Sequence, residues 1–329
     1  MDLLPTTEQD QIVDAASAFL ADACGLARFN GGAAVDDADL PPRLGELGWF
    51  ALTLPESAGG AGLGLAEEAL VHREFGRAIA PLATLGAALG ARVAWAAGQV
   101  QLCEQIAAGA TRVGLAVPAG TNAEDGDPLD GPLTLLDAGP ATLFLAWNAA
   151  QAVLWVAGSP RAATTSIDPG VGLRAVSGAP KGAVARGPSI QVEAAVLLAA
   201  QLCGVAEAAR DLAVRHATTR QQFGQPIGAF QAVKHPCADM AVACEAAGSL
   251  LKLAALSVAD GRADAPFLAA SAKLVATDAA LANARACVQI HGGLGVTAEC
   301  AAHLFVKRAH VLDAIGGNRR DQQRRILAA

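Results

Sequence analysis

The chain has 329 residues, 53% hydrophobic side chains and a net charge of −7 at pH 7, which is enough for two or three domains around a large buried core. The negative charge argues against nucleic acid as a partner. No apolar run is long and clean enough for a bilayer span of about 20 residues, and the N-terminal MDLLPTTEQDQ lacks the basic and apolar regions of a secretory signal. A cytoplasmic protein without a membrane or nucleic-acid partner is predicted.

The cysteines argue against a metal centre. There are seven, an odd number, and no two of them form a CxxC pair. In a cytoplasmic chain this pattern predicts buried, small apolar side chains rather than disulfides or zinc ligands. Ala is abundant and Tyr is absent, which favours closely packed helices.

The first zone of the chain, residues 1–111, is predicted to be a helical domain. Amphipathic periodicity covers Glu8–Ala21, Ala66–Gly76 and Val93–Ala108. Thr6 and Thr7 precede the first of these segments and offer a hydroxyl cap. The Gly- and Pro-rich stretch Leu54–Gly64 reads as a loop between helices.

The second zone, residues 112–190, is predicted to be a short β-domain. Four apolar runs of strand length are separated by Gly, Pro, Asp and Asn: Val113–Val117, Leu133–Leu136, Thr142–Ala146 and Ala152–Val156. Such spacing suggests a small barrel or sandwich. Neither GxGxxG nor GxxxxGK[ST] occurs, so the phosphate-binding loops of the common nucleotide-binding folds are absent.

The third zone, residues 191–329, has helical periodicity throughout. Its long Ala- and Leu-rich segments are Ala194–Thr219, Ala229–Gly261, Pro266–His291 and Ala301–Ala314. Long helices with short joints predict an antiparallel four-helix bundle. The predicted fold class is therefore α+β, mostly α, with a helical domain, a reduced β-domain and a C-terminal bundle in that order.

Two joints of this bundle have unusual chemistry. The RQQFG segment (Arg220–Gln231) and the QIHGG segment (Gln289–Gly295) each combine polar side chains with glycines. An Arg beside backbone N–H groups suits a diphosphate, a Phe offers a flat apolar face, and bare glycines let a ligand lie against backbone. The alternative is structural: Arg220 caps a helix end and the glycines turn the chain.

Together the two segments resemble the RxxFGxxIxxFQ and QxxGGxG motifs of the acyl-CoA dehydrogenase family. Gly45–Pro81, GELGWFALTLPESAGGAGLGLAEEALVHREFGRAIAP, is similar to the same family's first domain. The resemblance implies FAD as cofactor and an acyl-CoA as substrate, with the flavin held between two subunits and its ADP half contacted by these motifs. The residues that it assigns to cofactor binding are Arg220, Gln222, Phe223, Ile227, Phe230, Gln289, Gly292 and Gly293.

The sequence departs from the family's pattern in the middle zone. Gly114–Asn122 stands where a TEPxxGSD-like loop is usual, and neither Trp147 nor Trp155 completes the downstream Trp-x-Ser/Thr motif. Those motifs hold the flavin ring and part of the acyl-CoA. The departure implies that this chain does not hold a flavin ring on its own middle domain.

A second departure concerns the catalytic base. The reaction needs a carboxylate to take the α-proton while a hydride leaves the β-carbon. The family's usual Glu position falls on Gly316, or on Gly317 with a one-residue gap, and its alternative position falls on Ala194. Glu193 lies next to that position and is the candidate base, although a first-turn carboxylate that complements the helix dipole is the plainer interpretation. Asp313 and Asp321 are further candidates.

A chain that carries the ADP-contacting half of a flavin site but no catalytic base resembles the degenerate subunits of heterotetrameric bacterial acyl-CoA dehydrogenases that shorten steroid side chains. On this interpretation a cognate subunit supplies the base, and electron-transfer flavoprotein is the expected acceptor. Two alternatives stay open: a self-sufficient homo-oligomeric dehydrogenase with Glu193 as base, and a non-catalytic acyl-CoA- or flavin-binding scaffold. The basic run Arg319–Arg325 is predicted to be a solvated helix face. The alternatives are that it contacts the phosphates of CoA or a partner subunit.

Overall fold

The computed structural model describes residues 4–29, 39–119, 129, 131–136, 141, 143–157, 163–177, 180–187 and 189–328. Helices predominate in these residues, as the sequence predicts. The α-helices are α1 (Thr7–Ala23), α2 (Leu40–Glu46), α3 (Leu65–Arg77), α4 (Ala83–Ala96), α5 (Val100–Ala107), α6 (Ser189–Thr219), α7 (Gln231–Ala259), α8 (Ala265–His291), α9 (Ala302–Ala314) and α10 (Arg319–Ala328).

The chain forms two compact units. The first comprises Met1–Ala33, Ala69–Ala80 and Ala195–Ala329, and the second comprises Ala34–Glu68 and Pro81–Ala194. The first unit is mostly helical and contains one two-stranded hairpin, whereas the second carries the large sheet.

Small residues allow the helices of the first unit to pack closely. A side chain at Gly76 of α3 would clash with the backbone of Gln201 in α6, and one at Gly204 of α6 would clash with the backbone of Arg73. The buried amide of Asn283 in α8 then donates to the carbonyl oxygens of Ala206 and Met240, at 3.2 and 3.0 Å. One side chain therefore links α6, α7 and α8, and the four long C-terminal helices expected from the sequence are confirmed as α6 to α9.

The second unit contains a seven-stranded sheet, with the order β5-β6-β2-β1-β3-β4-β7. Its strands are β1 (Val113–Pro118), β2 (Leu133–Leu136), β3 (Leu143–Trp147), β4 (Gln151–Val156), β5 (Ala163–Thr164), β6 (Leu173–Val176) and β7 (Ala183–Arg186). Neighbouring strands are antiparallel except for β1 and β3, which are parallel. The described strands thus form one sheet whose edges are β5 and β7.

Alternating side chains bury both faces of the sheet. One face packs a cluster that includes Leu133, Leu135, Phe144 and Trp155, and the rings of Phe144 and Trp155 lie 6.3 Å apart. The other face receives α4, where a side chain at Gly86 would clash with the carbonyl of Val113. The glycines of α4 therefore allow the helix backbone to lie directly on the sheet.

The predicted helix Val93–Ala108 is wrong, because α4 ends at Ala96 and α5 begins at Val100. Gly98 adopts a φ of +72° between them, and its N–H donates to the carbonyl oxygen of Trp95. Glycine adopts this left-handed conformation without steric cost and so ends the first helix. The predicted cap at Thr6 is confirmed, since its hydroxyl accepts from the N–H of Gln9 at 3.2 Å.

The expectation that no apolar run could span a bilayer is wrong by length and composition. Three helical stretches meet both criteria: Ser189–Thr219, Gln231–Ala259 and Ala265–Val296. The apolar windows of the first and third are 78% and 61% buried inside the protein, but that of the second, which is α7, is only 33% buried. Packing of these helices on one another explains the long apolar runs of the first and third.

Candidate functional site

The RQQFG segment forms a tight hairpin after α6. The strands β8 (Gln221–Gln222) and β9 (Gln225–Pro226) pair antiparallel, and the N–H of Ile227 donates to the carbonyl oxygen of Arg220 at 2.9 Å. The turn residues Phe223 and Gly224 have φ values of +52° and +79°, the arrangement of a type I′ turn. A bulky side chain rarely adopts this conformation, and such strain concentrates at functional sites.

The hairpin presents its side chains to solvent. Phe223 is 91% exposed and meets the ring of Phe230 edge to face, with centroids 6.0 Å apart. Gln222 is exposed and donates to the carbonyl of Gln221. Arg220 is also exposed, and no hydrogen bond or ion pair engages its guanidinium within the described residues. An apolar ring and an unpaired cation on one strained loop are free to contact a ligand.

The QIHGG segment is a bare backbone surface at the end of α8. Gln289 is exposed in the last turn, and a 3₁₀ turn spans Gly292–Val296. Gly292 has φ +61° and ψ −138°, a conformation that essentially only glycine adopts. A Cβ at Gly292 or Gly293 would have no atom within 4 Å, whereas one at Gly295 would lie 2.6 Å from the carbonyl oxygen of Val288. The first two glycines therefore leave open space, and the third is needed for packing.

Two histidines that the sequence analysis did not single out lie beside the RQQFG segment and inside the QIHGG segment, and they stack on each other. The rings of His216, in the last turn of α6, and His291, the last residue of α8, stack with centroids 4.2 Å apart and planes 23° from parallel. His216 precedes Arg220 by about one helical turn, and His291 lies inside the QIHGG segment. The spacing from Arg220 and the position inside the motif are the sequence signals that could have drawn attention to each histidine, although neither signal shows that the two rings stack.

Glu193, the candidate base, lies in an ion-pair cluster of the second unit. Its carboxylate accepts from Arg92 of α4 at 2.6 Å. The same guanidinium donates to Thr53 at 2.9 Å and to the carboxylate of Glu68, which is 1% exposed. Burial lowers the pKa of Arg92, and Glu193 opposes that effect. An oxygen that already accepts from a guanidinium is less available to take a proton from carbon.

The loop at the usual base position carries no carboxylate. Gly316 and Gly317 have φ values of +67° and +93°, and their carbonyl oxygens accept from Gln322 and Arg325 of α10. Lys273 of α8 is fully buried and its ammonium group donates to the carbonyls of Asp313, Ile315 and Gly317. Burial lowers the pKa of Lys273 to about 7.

The two other candidate bases, Asp313 and Asp321, accept hydrogen bonds from backbone N–H groups at the start of α10. The carboxylate of Asp313 accepts from the N–H of Arg319 at 3.0 Å, and that of Asp321 accepts from the N–H of Asn318 at 2.9 Å. Burial raises the pKa of Asp313, although the Lys273 ammonium opposes the effect. Both side chains have a local structural role in satisfying the helix terminus.

The middle-zone motifs are only partly described. Gly114–Ala119 form β1 and the residue after it, while Gly120–Asn122 lie outside the described residues. Trp155 belongs to the sheet core and is 7% exposed, so its packing against Phe144 accounts for its presence.

A cleft of about 270 Å³ lies in the first unit, apart from these segments. It lies among α1, α3, α6 and α9 and includes the side chains of Glu74, Arg77 and Asp211. These charges pair with one another or with Glu207 at 2.7 to 3.5 Å. Because these three charges are paired within the protein, they are not free to compensate the charge of a ligand.

Comparison with known proteins agrees with this geometry. The model of the acyl-CoA dehydrogenase N-terminal domain matches residues 6–104, and that of the C-terminal domain matches residues 190–329. The acyl-CoA dehydrogenase IpdE2 of Mycobacterium tuberculosis is 36% identical over 80% of this chain and 78% of its own length. The acyl-CoA dehydrogenase FadE34 of the same organism is 32% identical over 87% of this chain but only 41% of its own length.

Solved structures share the whole fold. Butyryl-CoA dehydrogenase from Megasphaera elsdenii superposes with a TM-score of 0.83 at 21% identity, covering 100% of this chain and 99% of that one. A chain of the ChsE4–ChsE5 complex from Mycobacterium tuberculosis gives 0.82 at 25% identity, with 100% and 98% coverage. The fold and the two segments define an acyl-CoA dehydrogenase-type protein. The chain belongs to the acyl-CoA dehydrogenase family.

Proposed function

We propose that this chain is a subunit of an FAD-dependent acyl-CoA dehydrogenase, supplying contacts to the ADP half of the flavin while a cognate subunit supplies the catalytic base. The substrate is an acyl-CoA thioester, with a steroid side-chain CoA as the favoured class. The observation that carries the proposal is that one chain combines an exposed, strained RQQFG hairpin with two glycines at the position of the catalytic base.

The residues of the two segments fit the ADP half of FAD. Arg220 has an unpaired guanidinium for a diphosphate, and Gln222 and Gln289 offer exposed amides for phosphate or ribose. Phe223 presents a flat face, and the bare Gly292–Gly293 backbone admits close approach. Each of these groups is exposed in the single chain, as expected if the cofactor is held mainly by another subunit.

The loop at Gly316–Gly317 supports a base supplied elsewhere. Neither glycine can accept a proton. The side chains of Lys273, Gln322 and Arg325 donate hydrogen bonds to the carbonyl oxygens of these two glycines. Glu193 is engaged by Arg92, which favours a structural ion pair at that position. When bound, FAD would accept the hydride from the acyl β-carbon. The role proposed for this chain is to bind and orient the dinucleotide at Arg220 and Phe223.

Several observations support a partner chain. The apolar window of α7 is only 33% buried, and an exposed apolar surface of this kind is typical of a protein interface. More than half of FadE34 lies outside the match to this chain, so that relative has room for a second chain of similar size. Two structural neighbours are complexes of two named proteins, ChsE4–ChsE5 and the steroid ACAD Tcur3481–Tcur3483. Electron-transfer flavoprotein as the electron acceptor and a cytoplasmic location are part of the proposal, as expected by resemblance to the family.

The proposal is tested by a substitution in the RQQFG segment. The chain is co-produced with each acyl-CoA dehydrogenase-like chain encoded beside it, and the FAD retained after gel filtration is measured by absorbance. Arg220→Gln should lower FAD retention by at least tenfold, since a charge-assisted contact is worth about 1.5–3 kcal/mol. The matched control is Arg262→Gln, because Arg262 is an exposed arginine paired only at the surface with Asp264.

Three outcomes separate the alternatives. Equal FAD retention in both variants contradicts the proposed contact at Arg220. A chain that binds stoichiometric FAD and dehydrogenates acyl-CoA alone contradicts partner dependence and favours the self-sufficient enzyme. A chain to which no partner brings activity on any acyl-CoA is instead a scaffold.

A further inference from the structure

The stacked histidines lie next to the two proposed ADP-contacting segments: His216 about one turn before Arg220, and His291 within the QIHGG segment. His216 is partly exposed on α6, and His291 is 9% exposed at the end of α8. The Nδ1 of His291 lies 2.8 Å from the carbonyl oxygen of Cys287. Since a carbonyl can only accept, the Nδ1 of His291 donates this hydrogen bond.

The charges that face His216 disfavour its protonation in the free chain. Burial lowers its pKa, as do His291 of α8 and Arg220 of the RQQFG segment. Cys287 lies beside His291, with its Sγ 3.7 Å from Nδ1, and burial keeps its thiol neutral by raising its pKa to about 12. Because the ring centroids lie 4.2 Å apart, any positive charge that His216 gains is placed against the His291 ring.

A bound diphosphate reverses this balance. Its negative charges would neutralise the Arg220 guanidinium and attract a cation to the adjoining rings. The carboxyl-terminal ends of α6 and α8, at which His216 and His291 lie, already favour positive charge. Anion binding and protonation of His216 therefore promote each other.

We propose that His216, stacked on His291, is a proton-linked part of the anion site at Arg220, and that binding of a diphosphate there adds one proton to His216. This inference rests on the proposed function, because the diphosphate is that of the flavin dinucleotide. Linkage gives its sign: the affinity for the anion rises as pH falls through the pKa of His216 in the anion-bound chain, by up to about tenfold per pH unit.

The experiment uses the full chain and three probes: ADP, inorganic pyrophosphate and adenosine at millimolar concentration. Calorimetry between pH 5 and pH 8, in buffers of different ionisation enthalpy, measures both affinity and protons taken up. ADP and pyrophosphate should bind with uptake of up to one proton, and uncharged adenosine with none. Tighter binding of ADP than of pyrophosphate assigns the diphosphate to a nucleotide.

Variants isolate the pair. His216→Phe keeps an aromatic ring against His291 but cannot take up a proton, so it should flatten the pH dependence and retain affinity at pH 8. His310→Phe, at an exposed position of α9, is the matched control and should behave like the wild type. If His216→Phe does not fold, imidazole NMR of the wild type decides: the resonances of His216 must titrate at higher pH with ADP than without it.

The failures are distinguishable. Binding of ADP without proton uptake overturns this inference and leaves the proposed Arg220 contact intact. Absence of ADP and pyrophosphate binding at every pH overturns the diphosphate site itself, and the inference with it.

Discussion

Arg92 is the most informative position for deciding what Glu193 does. Its guanidinium donates to Thr53, Glu68 and Glu193 and is 12% exposed. Arg92→Met keeps the aliphatic bulk but leaves two carboxylates without their cation, one of them the 1% exposed Glu68. Removing one partner of a buried pair costs about 3–5 kcal/mol, a large part of a typical total stability of about 5–15 kcal/mol.

The substitution at Glu193 itself should be much milder. Glu193→Gln keeps an amide oxygen that can accept from Arg92, and the side chain is 22% exposed. The substitution removes the negative charge from one hydrogen bond, which should lower the free energy of unfolding by about 1–2 kcal/mol. If the role is structural, the glutamine variant of the flavin-loaded complex should keep most of its dehydrogenation rate.

Urea denaturation followed by circular dichroism measures both effects, and the double variant tests whether they are coupled. Residues in one ion-pair network should show an interaction energy of about 0.5–3 kcal/mol. Unchanged stability in both single variants, together with loss of turnover in Glu193→Gln while flavin stays bound, would refute this reasoning. That result would make Glu193 the base.

Three further predictions concern the first unit. The unfolded chain keeps the proton of a Lys up to about pH 10, whereas the folded chain releases the proton of Lys273 near pH 7. Between these pH values the folded state binds one proton fewer than the unfolded state. The free energy of unfolding should therefore rise with pH over this range by up to about 1.4 kcal/mol per unit. Lys273→Met should remove that rise, as denaturation at several pH values would show. Gly317→Glu should lower stability by about 1–3 kcal/mol without creating activity, because φ is +93° and the new Cβ would lie 3.0 Å from the Cβ of Asp321. A gain of dehydrogenase activity would contradict this account of the loop. Phe223→Ala should change stability by no more than about 0.5 kcal/mol, since the ring is 91% exposed, but should lower FAD retention in the complex; a large loss of stability would show that the ring has a packing role.

Local pattern predicted the long elements well. Periodicity identified α6 to α9 and the first four strands because each carries a regular pattern of apolar residues over its length. It failed at Gly98, where a single left-handed residue divides a continuous apolar pattern. It also missed β5, β6 and β7, which have two to four residues each; β6 and β7 pair with strands about 30 to 40 positions earlier, β2 and β4.

The candidate site was predictable as two motifs but not as an arrangement. The stacking of His216 on His291 depends on how α6 and α8 pack, and no local pattern contains that information. The same limit applies to Glu193, whose engagement with Arg92 is a contact over about a hundred positions. The roles of the motif residues in binding FAD stay predictions.

The ratio of FAD to protein in the purified chain tests the central claim most directly. The visible absorption spectrum is recorded for the chain produced alone and for the chain produced with an acyl-CoA dehydrogenase-like partner. The account predicts a colourless lone chain, and a yellow complex that contains fewer flavins than chains and oxidises acyl-CoA. One FAD per chain in the lone protein, with dehydrogenation of acyl-CoA, would contradict it.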